Sequence, residues 1–335
     1  MNDQLPSHAR DRRPVRPKAC VTGAGEPGFT MIETLMALTV MLIVMGVAMN
    51  GMIQFSKTQS TVWNRANMHD AVRSATELLQ QEVGQAGRVA LPGTGVTLAA
   101  GVAAGVVTVQ VSPSAAIGSI FVGEQLVIDG GPNEETVTAT AVSTSGFTAE
   151  FVGAHSEGAP VQVQGGFATG VVPCKSAADC PGSSGVGTYT NGSTGTVLKI
   201  YGDINGDGNM VYVEYVCDTA NGFLYRNMMG FSAASKPAVN AGQALLSNVL
   251  PNPGSTPCFT YQQKVVSPDT YVVNVAISLT TRTQAVDRVT RQFQTETKAL
   301  LNVAPRNVFD AWRLASIGSR NRIQQMPQSV TNLLH

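Results

Sequence analysis

Residues 28–53 read GFTMIETLMALTVMLIVMGVAMNGMI. From Phe29 to Ile53 this is about 25 residues, which at roughly 1.5 Å per helical residue crosses a hydrocarbon core about 30 Å thick. One acid, Glu33, interrupts the run. A carboxylate in lipid costs about 3 kcal/mol on insertion scales and more on others, so Glu33 requires a partner. Upstream, Met1 to Gly28 carries Arg10, Arg12, Arg13, Arg16 and Lys18 against Asp3, Asp11 and Glu26. This basic flank is expected to stay cytoplasmic. No small-residue cleavage motif closes the apolar run on its far side, which argues against an ordinary secretory signal. The segment reads as a retained, single membrane-spanning helix.

The junction Gly28-Phe29-Thr30-Met31-Ile32-Glu33 resembles the class III signal of type IV pilins and type II secretion pseudopilins. The resemblance implies cleavage after Gly28 by a prepilin peptidase, methylation of Phe29 as the new N-terminus, and pairing of Glu33 with the N-terminal amine of a neighbouring subunit. It is specific from Gly28 to about Gly51. The segment Val211 to Arg226 further resembles the J-type pseudopilin and W-type minor pilin branch. Cleavage would leave 307 residues with 17 basic and 19 acidic side chains. The leader also contains Gly23-Ala24-Gly25-Glu26-Pro27-Gly28, but no strand precedes this dinucleotide-like pattern and Pro27 interrupts its turn.

Past the span, Met68, Val72, Ala75, Leu79, Val83 and Ala86 recur at helical spacing, with Arg65, Asp70, Arg73, Glu77 and Glu82 read as lying off that stripe. A half-buried helix against a sheet is expected. Unbroken from about Thr30 to Gln85, it would be roughly 80 Å long. Gly84 and Gly87 weaken it, and Pro92, Gly93 and Gly95 end it.

The composition supports a β-rich remainder. The 335 residues are 43% hydrophobic and 13% charged, too apolar for a disordered chain. With 34 Gly, 17 Pro and only 6% aromatics, many turns and short strands are expected rather than a large helical fold. The 22 basic and 22 acidic side chains balance, leaving no excess positive field for nucleic acid.

Between Leu91 and Gly170 the candidate strands are Val106 to Val111, Gln125 to Asp129, Glu135 to Val142, Phe147 to Phe151 and Pro160 to Gln164. Their spacing fits a small barrel or sandwich, and Gly123 to Val161 resembles β-modules appended to bacterial surface proteins. His155, its only histidine, reads as a loop residue. Further on, Thr196 to Tyr201, Val211 to Cys217 and Phe223 to Met228 read as strands, the last two as a hairpin. Val273, Val275, Ile277 and Leu279 alternate as the apolar face of another.

The expected fold is therefore α+β, a long N-terminal helix packed on an antiparallel sheet with an inserted β-module. Its segments are a cleaved leader over 1–28, a span over 29–53, an amphipathic helix over 54–90, the module over 91–170, a sheet domain over 171–305 and a basic tail over 306–335. The tail reads as solvated or loosely docked.

Cys174, Cys180, Cys217 and Cys258 would be exported, and four cysteines permit three connectivities. Cys174 with Cys180 closes a short Pro-flanked loop, which favours that pairing together with Cys217 and Cys258. Zinc is a weaker reading, because no Cys-x-x-Cys occurs. Asp203, Asn205, Asp207, Asn209 and Glu214 satisfy the spacing of a calcium loop. The flanks read as strands, so the same residues also fit a plain polar turn. No cofactor is required. No nucleophile-and-base motif or phosphate loop is present, so catalysis is not expected. The expected partners are other pilin or pseudopilin subunits, prepilin peptidase and the inner membrane, with the C-terminal domain periplasmic before any incorporation into a surface pilus or a pseudopilus.

Overall fold

The computed structural model of the protein describes residues 28–91, 95–185 and 189–335. Most of the expected leader, with Cys20, and the Pro92-Gly93 helix stop lie outside the described residues. Helix α1 runs unbroken over Met31–Gln85, close to the expected limits. Residues 1–56 and 57–335 form two separate compact units.

In the second unit, α1 buries Met68, Val72, Ala75, Leu79 and Val83, and Ala86 just beyond its end is also buried. Complete burial of side chains such as Leu79 and Val83 stabilises by roughly 1.5–3 kcal/mol each. Glu82 departs from expectation: it is buried too. It stands three residues after Leu79 and seven after Ala75, which is the core face of a helix. The helix ends five residues before the expected 54–90 segment does. Gly87 follows at φ 80°, and a Cβ on Gly170 would lie 2.1 Å from the Gly87 Cα, so the two backbones touch where only glycine fits.

The module strands are β1 (Thr97–Leu98), β2 (Gly105–Val109), β3 (Val111–Ser112), β4 (Gln125–Ile128), β5 (Glu135–Thr138), β6 (Ala141–Val142), β7 (Phe147–Phe151) and β8 (Val161–Val163). They form two antiparallel three-stranded sheets, β2-β7-β6 and β5-β4-β8, with β1 paired to β3. Alternation places Phe147, Ala149 and Phe151 of β7 inward, where they share one core with Leu126, Ile128 and Val137.

The remaining strands are β9 (Gly166–Phe167), β10 (Val197–Gly202), β11 (Val211–Asp218), β12 (Phe223–Gly230), β13 (Ala244–Ser247), β14 (Val249–Leu250), β15 (Phe259–Val266), β16 (Asp269–Arg282), β17 (Thr295–Val303) and β18 (Ile323–Gln324). One antiparallel sheet is ordered β10-β11-β12-β13. In another, β16 has β14 and β15 as neighbours and also pairs with β17. Both sheets and the α1 stripe contribute to one large core. The expected face of β16 holds for Val275, Ile277 and Leu279 but not for Val273. A register shift at Gln262/Gln263 leaves Val273 unpaired, so Val272 joins the large core and Val273 turns to a different cluster.

The expected loose tail is instead docked. Helix α2 (Arg306–Ser316) buries Val308, Ala311 and Ala315 beside Tyr271 and Val273, and α3 (Gln328–Leu333) buries Val330 and Leu333 with Phe121, Phe167 and Tyr212. Strand β18 lies parallel to β9. The Gln324 side chain accepts from the Gln125 N–H at 2.9 Å and donates to the Gln125 carbonyl at 2.8 Å, tying the module to this late segment. Position-by-position apolar spacing, not net charge, decides where residues 306–335 lie.

Candidate functional site

The N-terminal end of α1 is apolar on every side. Phe29, Met31, Leu35, Leu38, Leu42, Val47 and Met52 are all exposed, and none of the helix's most apolar stretch is buried within the chain. Such a surface is stable only in lipid or among other apolar helices. The helix is long and apolar enough to cross a membrane. Glu33 falls in the first turn, where a negative charge suits the helix dipole. It makes no ion pair among the described residues. Gly28 and Phe29 precede the helix in non-helical backbone.

Neither a family model, nor a curated protein, nor a solved structure matches this chain. What stands without them is coarser: a long apolar N-terminal helix followed by a β-rich domain, an arrangement consistent with a pilin-like architecture.

Both favoured cysteine pairings are present, Cys174 with Cys180 and Cys217 with Cys258. The calcium-loop residues fit less well. Asp203 is fully buried, and its Oδ1 accepts from the Asp207 and Gly208 N–H groups at 3.0 and 3.3 Å. Its Oδ2 lies 3.4 Å from the Arg88 guanidinium. Asp207 accepts from the Asn209 N–H at 2.9 Å, while Asn205, Asp207 and Asn209 are exposed. Glu214 is engaged elsewhere: Tyr212 donates to it at 2.8 Å and Lys236 at 3.0 Å, with Lys199 at 3.9 Å. Among the described residues no three His, Cys, Asp or Glu side chains gather as a metal set. The loop is a carboxylate-capped turn with Arg88 beside it, and Glu214 is engaged by Tyr212 and Lys236 rather than by the loop.

Three polar clusters were not foreseen from the sequence. In the first, the Arg226 Nε donates to Glu82 at 3.0 Å and Tyr215 hydroxyl also donates to that carboxylate. Burial lowers the arginine's proton affinity, but the paired Glu82 outweighs it and raises the net value. In the second, His155 lies outside the named strands, as expected of a loop residue, but is a buried bridge. Its Nε2 lies 3.0 Å from Glu135 and its Nδ1 3.4 Å from Asp129. Burial tends to raise the Glu135 carboxyl, yet donation from the Val152 and Gly153 N–H groups and the nearby His155 holds it below its ordinary value. The third is Glu124, fully buried, whose Oε2 accepts from the Phe121 N–H at 3.2 Å and whose Oε1 has no hydrogen-bond partner among the described residues. Burial pushes it up to about 8. These clusters fasten elements together; none gathers a nucleophile and a base around a substrate space.

Proposed function

We propose that this protein is a minor pilin that assembles into, or primes, a type IV pilus-like filament through its N-terminal helix. The observation that carries the reading is the Gly28-Phe29-Thr30-Met31-Ile32-Glu33 junction opening directly onto a continuous helix of 55 residues. On this reading the chain is inserted once in the inner membrane with its leader cytoplasmic, cleaved after Gly28 and methylated on Phe29. Glu33, which makes no ion pair among the described residues, then meets the N-terminal amine of a neighbouring subunit. The β-rich unit is periplasmic, where the two disulfides form. The work is assembly, not turnover.

Mass spectrometry of the mature N-terminus tests the proposal. A methylated Phe29 is expected in peptidase-competent cells. Any other N-terminus, or an unchanged size when the peptidase is deleted, overturns it. A type II secretion pseudopilin is the neighbouring reading, and the genes beside this one separate the two. A membrane-tethered adhesin acting through the module draws support from the exposed Val106, Val122 and Val152. Replacing these valines by serine would abolish attachment with assembly intact if that reading holds.

A further inference from the structure

Phe121 belongs to the module by sequence and to another core by contact. Ile117 and Ile120 before it and Leu126 after it pack among the module's own residues, whereas Phe121 lies with Phe167, Tyr212 and Phe231 and with Val330 and Leu333 of α3. Its ring centroid is 5.7 Å from that of Phe167 and 6.3 Å from that of Phe231. A module side chain is thus plugged into the rest of the β-rich unit. Gln125, four residues on, carries the double tie to Gln324.

Between these two attachments stands Glu124. Its N–H donates to the Phe121 carbonyl at 3.1 Å, and the Phe121 N–H donates to its Oε2 at 3.2 Å, so the four-residue turn is closed from both ends. The Glu124 carboxyl is fully buried, and Oε1 has no hydrogen-bond partner among the described residues. Burial and the Phe121 N–H are the influences on its proton, and no charged group adds to them. In the strands beside it, Asp129 and Glu135 are turned to His155, while Glu134 is exposed. In the tail, Arg320 pairs with Asp269 and Arg322 is exposed. Tyr201 and Tyr212, in the cluster that takes Phe121, have their hydroxyls bonded to Thr169 and Glu214.

An ionised carboxylate in this place would have neither water nor a cation, and the least costly relief is a local opening that lets water in. Such an opening spares both large cores. The module closes its own between Val96 and Val161, and the core shared by α1 and the two four-stranded sheets contains no module residue.

We propose that the Phe121–Glu124 turn is a proton-dependent clasp: with Glu124 protonated the module is docked against β9, β18 and α3, and with Glu124 ionised the turn opens, Phe121 leaves its cluster and the module detaches from an otherwise folded chain. The clasp operates whatever membrane or assembly holds α1. In water the carboxyl has its ordinary value of 4.5, and in the docked site burial pushes it up to about 8. The docked form therefore holds the proton more tightly, and the detached form gains on it as pH rises between those values. From pH 6 to pH 8 the detached fraction should rise more than about tenfold.

Hydrogen exchange of the full chain in detergent micelles tests this, read peptide by peptide at pH 6 and pH 8 and corrected for the intrinsic effect of pH on amide exchange. Residues 119–126 and 323–334 are expected to lose protection by that factor at pH 8, while β7 and β11 keep theirs. Glu124→Gln and Glu124→Leu have no proton to lose, so in both variants the two segments should be equally protected at pH 6 and pH 8. Phe121→Ala should leave the segments weakly protected at either pH, and protection untouched by that change overturns the plug. Equal protection of the parent at the two pH values overturns the clasp, as does a loss at pH 8 that persists in the Glu124 variants. A loss shared by β7 and β11 marks general unfolding in place of detachment and overturns it as well.

Discussion

At Glu82 the core face of a helix carries a carboxylate, and Arg226 from β12 lies against it with 21% of its side chain exposed. Truncating one partner of a largely buried pair leaves the other charge uncompensated, at a cost of about 3–5 kcal/mol. Arg226→Ala should therefore lower the denaturant midpoint markedly, whereas Arg73→Ala, on an exposed pair with Glu77, should change it little. The helix period alone placed Glu82 on the buried face; its charge argued for the outside. What overrode the charge is an arginine 144 positions away, which no local window contains. Glu124 supplies a second test. Its ordinary value is 4.5 and its folded value about 8, so the folded chain keeps a proton that the unfolded chain releases between those limits. Stability from this group is full below about pH 4.5 and is lost as pH rises towards about 8. Glu124→Gln should match the parent near pH 4.5 and exceed it at pH 8 by an amount on the order of a few kcal/mol, read from urea melts at each pH.

Among the elements, β7 is legible because Phe147 and Phe151 alternate cleanly between turn residues, and the structure places the strand at those limits. The β16 face is only partly legible, since a bulge at Val273 reverses inside and outside without any mark in the alternation itself. In α2 the spacing of Val308, Ala311 and Ala315 was available, but the arginines around them suggested a solvated tail. At the Asp203 loop two readings stood side by side, a calcium spacing and a plain polar turn, and the hydrogen bonds of the structure are those of a turn. Ligand spacing assumes that Glu214 turns back to the loop, and a strand directs it to Lys236 and Lys199 instead. Asp203→Ala should cost about 1–3 kcal/mol by stranding two turn N–H groups and Arg88. The melting temperature of the parent should be the same in millimolar calcium and in chelator, and a rise with calcium would restore the metal reading.

For the whole molecule, the division into a lipid-compatible helix and a β-rich remainder was legible from one hydrophobic stretch and a change in composition. Glu33 links the two levels, because on the proposed reading its partner is the N-terminal amine of a neighbouring subunit. Glu33→Ala should insert at least as well as the parent, since the span becomes more apolar, and should fail to co-purify with neighbouring filament subunits. Equal recovery of both forms would remove Glu33 from assembly. How the remainder closes was not legible, because its fastenings join distant positions. The tie between Gln324 and Gln125 spans 199 residues, and the contact of Asn307 with Gln85 spans 222. At synthesis rates of about 5–20 residues per second, a ribosome needs roughly 10–40 s to travel from one end of the first tie to the other. Within that interval β9 waits for β18, and β16, once it has emerged, waits for α2. The module, whose core closes between Val96 and Val161, meets its own requirements early. The chain therefore emerges as a finished module on an unfinished scaffold, and the order of emergence, more than the final stability, sets how long it is vulnerable to sticking and proteolysis.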